Sequence, residues 1–169
     1  MYDIVKQKLL GYDLKESENL GVMVIEECRR LASSDIVRRN IAGLHSSITE
    51  YKLTIPIAED FLTGILDMLL INESGIREVW DWKTNRIDSK EDMLVLSETY
   101  KIQMKIYAYF IKLLYPGEKE YSTRLLFTRR INSSANDEDC TVVVKWDEVE
   151  LEQFGEELIL LIKEIKSGD

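Results

Sequence analysis

The sequence predicts an α/β fold, one mixed sheet flanked by helices, and three observations predict it. Apolar residues recur at three-and-four spacing through the first forty or so positions. The pattern then changes to two-residue alternation over three consecutive segments. A long helical pattern follows, then further strand and a closing helix, an order that suits a mixed layer around one sheet. With 169 residues the chain has enough length for one domain with a sizeable core and too little for two ordinary ones. An apolar fraction of 45% with 31% charged residues is ordinary for a globular chain.

Each element has its own local reason. Leu9, Leu10, Leu14, Leu20, Val24, Ile25, Cys28 and Leu31 form the apolar series of the first helices, and Asp13 is the expected helix start. A short helix is expected from Asp35 to Leu44. From Ile48 to Ile57 a strand sets Ile48, Glu50, Lys52 and Thr54 against Thr49, Tyr51, Leu53 and Ile55. A second strand is expected from Asp60 to Ile71. Asn72-Glu73-Ser74-Gly75 supplies hairpin-turn chemistry before a third strand, Ile76 to Lys83, and three strands in succession imply an antiparallel meander. A helix from about Ser89 to Tyr115 should bury Leu94, Ile102, Ile106, Tyr109 and Leu113, and Pro116-Gly117 ends it. A strand from Tyr121 to Thr128, a polar surface loop from Asn132 to Asp139 and a strand from Thr141 to Trp146 follow. Asp147 can cap a last helix running to about Lys166.

Composition narrows the function. No run approaches the roughly 20 apolar residues that cross a bilayer, and the N-terminus lacks the pattern of a signal peptide, so no membrane partner and a cytoplasmic location are expected. Cys28 and Cys140 are the only cysteines, too few for a disulfide framework or a four-cysteine metal cluster. A net charge of −9 opposes electrostatic capture of a polyanion, unless a local basic patch, a divalent cation or a neighbouring domain brings one in. The absence of a Gly-x-x-x-x-Gly-Lys-Ser/Thr loop excludes ATP binding by a P-loop. A small-molecule or nucleotide domain of the glycine-rich-loop kind ranks last for a similar reason.

The chemistry is concentrated around the third strand. Asp81 and Lys83 are two apart and project to one side, with Arg77 and Val79 on the same side. Asp67 interrupts the apolar segment Gly64-Ile-Leu-Asp67-Met-Leu-Leu70 and needs a partner there. A divalent cation between Asp67 and Asp81 would be that partner, and hard oxygen ligands suit magnesium or manganese. Lys83 beside such an ion suits phosphoryl chemistry, although an ordinary salt bridge to either aspartate accounts for the same residues. Gln103 and Tyr107 are four apart and share a helix face. As an isolated pair they read as a surface glutamine and a core tyrosine.

In order along the chain, Gly64-Ile-Leu-Asp67, Asp81-Trp82-Lys83-Thr84 and Gln103-Met-Lys-Ile-Tyr107 resemble the three motifs of the RecB/AddA-type branch of the PD-(D/E)xK, restriction endonuclease-like, superfamily. The resemblance runs by motif from about Glu50 to Tyr107, and by order of elements beyond. It implies that Asp67 and Asp81 bind Mg²⁺ or Mn²⁺, with the Trp82 backbone carbonyl as a further ligand, and that Lys83 is catalytic with both aspartates. It gives Gln103 and Tyr107 the roles of organising the site and contacting substrate, with Arg86 as a nearby basic residue. Glu50 is similar to a glutamate that commonly opens the first strand in this family.

The implied function is a metal-dependent deoxyribonuclease, an exonuclease domain of an ATP-dependent helicase-nuclease acting in double-strand-break repair and recombination. The expected partners are DNA, single-stranded, helicase motor domains in the parent chain, and a partner subunit. Residues 1–169 are expected to form one nuclease domain, a C-terminal fragment of that larger protein. The alternative is a non-catalytic module of the same fold that docks or guides a DNA strand. Two features favour the alternative, the net charge of −9 and the placing of histidine. Members of this group carry a histidine in a Gly-x-x-x-His motif on an upstream helix, and the only histidine here, His45, falls outside such a motif. The motif helix is therefore expected in a part of the parent protein beyond this chain. Arg124, Arg129 and Arg130 are either phosphate contacts or ordinary solvated residues. Trp80, Trp82 and Trp146 are expected to pack rather than to stack on bases.

Overall fold

The computed structural model describes residues 14–42, 44–131 and 136–168; the expected start at Asp13, the apolar pair Leu9 and Leu10, and the first half of the expected 132–139 loop lie outside them. Helix α1 spans Leu14–Ser33 and α2 spans Asp35–Ala42. Ser34 stands between them, 4% exposed, and its hydroxyl accepts the Val37 amide, capping α2. Helix α2 stops short of the expected Leu44, and strand β1 begins there, earlier than the alternation suggested, spanning Leu44–Ile57.

Strand β2 spans Asp60–Asn72 and β3 spans Arg77–Lys83. The turn between them is held by Asn72, whose Oδ1 accepts the amides of Ser74 and Ile76, each at 2.9 Å, and by Gly75 at φ 79°. The meander β1-β2-β3 is antiparallel as expected. Strand β4 (Tyr121–Phe127) then adds parallel to β3, and β5 (Thr141–Trp146) closes the sheet antiparallel, in the order β1-β2-β3-β4-β5. The parallel step requires a crossover, and helix α3 (Lys90–Leu114) provides it. Ser89 caps α3 by accepting the Asp92 amide. Within the expected 132–139 loop, Asp137–Cys140 forms a single helical turn, α4. The closing helix α5 (Glu148–Ser167) starts with a capping box formed by Asp147 and Glu150.

Helices α3 and α5 cover one face of the sheet, where Leu53, Leu66, Leu69, Val79, Met104, Phe110, Leu125 and Phe154 form the main core. On the other face a smaller cluster joins Ile36 and Val37 of α2 to Leu70, Trp80 and Leu126. The expected stripe of α3 is borne out at Tyr109, which is buried, and at Ile106, half-buried against the core, and is corrected elsewhere. Leu94, Ile102 and Leu113 are 47%, 58% and 40% exposed, whereas Met93, Ser97, Met104, Tyr107, Ala108, Phe110 and Ile111 are buried. The helix is apolar around much of its circumference, so periodicity alone did not select a face, and packing against both the sheet and α5 did. That second contact is close: a Cβ on Gly155 of α5 would stand 2.5 Å from Tyr109 Oη.

Candidate active site

The site forms where β2 and β3 part company. The β2/β3 ladder is paired from Ile71–Arg77 to Met68–Trp80, and the same register sets Asp67 opposite Asp81. Beyond that point the backbones separate, and Asp67 Oδ2 accepts the Trp82 amide at 2.8 Å. The Asp67 side chain thus occupies the position of a ladder partner.

Asp81 is 2% exposed, held between α3 and the sheet. Its Oδ2 forms an ion pair with Lys83 Nζ at 2.5 Å. Burial pushes the Asp81 carboxyl above its ordinary pKa, the hydrogen bond and charge of Lys83 pull it back, and the charge of Asp67 adds to the rise. A buried carboxylate opposite a second carboxylate suits a cation beside the lysine.

Helix α3 closes the site from above. Gln103 accepts from Lys83 Nζ at 3.1 Å, and its amide nitrogen donates to Tyr107 Oη at 2.7 Å and to Asp81 Oδ1 at 3.4 Å. One amide therefore ties the lysine, the aspartate and the phenol together. Tyr107 is 8% exposed, and burial raises its pKa, with the Gln103 bond opposing the rise. The reading of Gln103 as a surface residue is corrected, because β3 passes directly beneath this turn of α3.

Three neighbours were missed in the sequence. The Tyr100 ring lies 4.0 Å from Lys83 Nζ, and its hydroxyl donates to Asn85 Oδ1. Its spacing of three from Gln103 and seven from Tyr107 was the available signal. Thr128, 3% exposed after the end of β4, donates toward the Lys83 carbonyl at 3.3 Å and toward Glu27 Oε1 of α1 at 2.9 Å. No spacing links Glu27 to Thr128, so only the fold joins α1 to the end of β3.

Other expected residues lie elsewhere. Arg86 sits in the β3–α3 connection, 83% exposed in its side chain and 3.6 Å from Asp88. His45 is an exposed residue of β1. Arg124 is committed to Glu78, 3.1 Å away on the opposite face of the sheet. Arg130 donates to the Asp139 carbonyl at 2.6 Å, and Arg129 is exposed. Trp80 and Trp146 are buried, and Trp82 meets Trp80 edge-on at 5.8 Å.

Among the described residues, no group of three or more His, Cys, Asp or Glu side chains is assembled to hold a metal ion. The two aspartates remain a sufficient protein contribution for an ion such as Mg²⁺, which often takes one or two carboxylates and completes its shell with water and substrate phosphate.

A search of curated proteins found no match to the chain. The family model of the PD-(D/E)XK nuclease superfamily matches residues 8–169, which takes in α1, the whole sheet and α5. A mixed five-stranded sheet with flanking helices agrees with the restriction endonuclease-like fold of that superfamily. The chain therefore belongs to the PD-(D/E)XK nuclease superfamily, as a nuclease-type domain.

Proposed function

We propose that this domain is a metal-dependent deoxyribonuclease of the RecB/AddA type, cutting single-stranded DNA supplied by a helicase motor in a double-strand-break repair and recombination machine. The observation behind this reading is the convergence of Asp67, Asp81, Lys83 and Gln103 at the split between β2 and β3. The three motifs in the sequence support the RecB/AddA branch, and with it the helicase linkage.

Asp67 and Asp81 are the residues to hold Mg²⁺ or Mn²⁺. The Trp82 amide points toward β2, and in a strand the carbonyl of the same residue points the same way, which supports that carbonyl as a further ligand. A bound ion supplies Lewis acidity to the scissile phosphate. Lys83, steadied by Gln103, stabilises negative charge developing on that phosphate or orients the attacking water. Tyr107 orients Gln103. Arg86, exposed beside the site, is available to a backbone phosphate of the substrate strand. With a net charge of −9, capture of DNA falls to these local contacts, the metal and the motor domains.

Cleavage of labelled single-stranded DNA with Mg²⁺ or Mn²⁺ tests the proposal, comparing this chain, its Lys83→Ala variant and the parent protein. The expected loss in Lys83→Ala is on the order of 10²–10³-fold. Equal cleavage by Lys83→Ala and wild type would remove the assignment. A second reading, a non-catalytic module for docking or strand guidance, is favoured by the net charge of −9 and by His45, the single histidine of the sequence, lying outside a Gly-x-x-x-His motif. Under that reading neither form cuts DNA, in the chain or in the parent.

A further inference from the structure

Strand β2 changes phase at one point. Leu66 and Leu69 are three residues apart, yet both are fully buried in the core beneath α3 and α5. Strict alternation would send them to opposite faces. Leu70 and Met68 meanwhile pack with the cluster on the other face. The reversal therefore falls between Leu66 and Met68, at Asp67.

The partner strand explains how. Thr49 pairs with Met68 and Tyr51 with Leu66, which leaves Glu50 opposite Asp67, without a bridge between them. Glu50 has φ 51°, one of two non-glycine residues in the left-handed region among the described residues; the other, Ala58, is in the hairpin turn. A left-handed residue inside a strand rotates the chain and breaks pairing locally, here without shifting the register on either side. Without the reversal, the phase running up from Leu62 and Leu66 would direct Asp67 to the face away from Lys83 and Gln103.

We infer that Glu50 is a positioning residue acting through its main chain: its left-handed turn reverses the phase of the hairpin and thereby aims Asp67 at Asp81. The Glu50 side chain is exposed and takes no part in this effect. The functional meaning rests on the nuclease reading above, whereas the geometric claim stands apart from it. The strain of a non-glycine residue at positive φ is thus located at the residue that orients the site.

The experiment is amide hydrogen exchange at Trp82, whose N–H is bound by Asp67, in wild type and in Glu50→Gly, Glu50→Gln and Glu50→Val, with cleavage and Mn²⁺ binding measured alongside. Glycine adopts positive φ freely, and glutamine accepts it about as well as glutamate, so both should keep Trp82 protection. Valine, β-branched, should lose it at least tenfold, with Mn²⁺ affinity falling in parallel. Loss of protection in Glu50→Gly or Glu50→Gln would overturn the inference, because the carboxylate rather than the turn would then matter. Wild-type protection in a folded Glu50→Val would overturn it equally, and the glycine and glutamine variants decide the matter if valine prevents folding. Lys83→Ala retaining cleavage would strike the nuclease reading alone and leave the exchange result intact.

Discussion

The carboxylate of Asp67 accepts the main-chain amide of Trp82 at 2.8 Å, so one side chain serves both as a strand-end partner and as a candidate metal ligand. The two roles separate by mutation. Asp67→Ala strands the Trp82 amide and should destabilise the fold by about 1–3 kcal/mol. Asp67→Asn keeps an acceptor and should lose less than half of that, while both variants lose Mn²⁺ binding. Urea denaturation and calorimetric titration with Mn²⁺ check the pair; similar stability in Asp67→Ala and wild type would contradict the strand-end role.

Gln103 joins Lys83, Asp81 and Tyr107, so its removal should cost more than removal of the Tyr107 hydroxyl alone. Gln103→Leu leaves the buried Tyr107 hydroxyl and the Asp81 oxygen without this partner, with an expected loss of about 2 kcal/mol. Tyr107→Phe deletes one bond and should lose about 1 kcal/mol. On the nuclease reading, cleavage should fall in the same order. A double-mutant cycle showing no coupling between the two positions would contradict the network.

The pH dependence of stability follows from Asp81. Burial raises its pKa in the folded state, so the folded protein binds this proton more tightly than the unfolded chain does. The favourable contribution is complete below the unfolded value and is lost as pH rises through the raised folded value. In metal-free buffer, wild type should therefore lose stability relative to Asp81→Asn as pH climbs from the acid side through that raised value. Adding Mn²⁺ should reverse the trend, since the ion binds the carboxylate. Melting temperatures of both proteins across this window, with and without Mn²⁺, decide it; a constant difference between them would refute the assignment.

Gly64, the first residue of the Gly64-Ile-Leu-Asp67 motif, has a packing role. A Cβ there would stand 2.6 Å from Cε2 of Phe110, a fully buried ring of α3. Gly64→Ala should cost about 1–3 kcal/mol through overpacking. Phe110→Leu in the same chain should recover part of that loss. Thermal melts of the single and double variants measure it, and an unchanged melting temperature in Gly64→Ala would show that α3 yields freely.

Much of the site was legible because its spacing is local. Asp81 and Lys83 share a face at a separation of two in any strand, and Gln103 and Tyr107 share one at four in any helix. The turn at Asn72–Gly75 and the cap at Asp147 were legible for the same reason. Glu50 was not. Read as one more alternating strand residue, or as a family glutamate, it gave no sign that its main chain reverses the phase. Arg124 stood open between a phosphate contact and an ordinary solvated residue until the register of β3 and β4 brought it against Glu78.

By itself, then, the sequence determined the elements, their order and the relation of each functional side chain to its own helix or strand, because those depend on backbone periodicity and on neighbours a few residues away. Only the tertiary structure decided which face of α3 is buried, how α1 reaches the end of β3 through Glu27 and Thr128, and toward what Asp67 is turned. Those relations arise from packing between segments far apart in the chain, where volume, register and a single left-handed residue select among arrangements that local periodicity leaves equal.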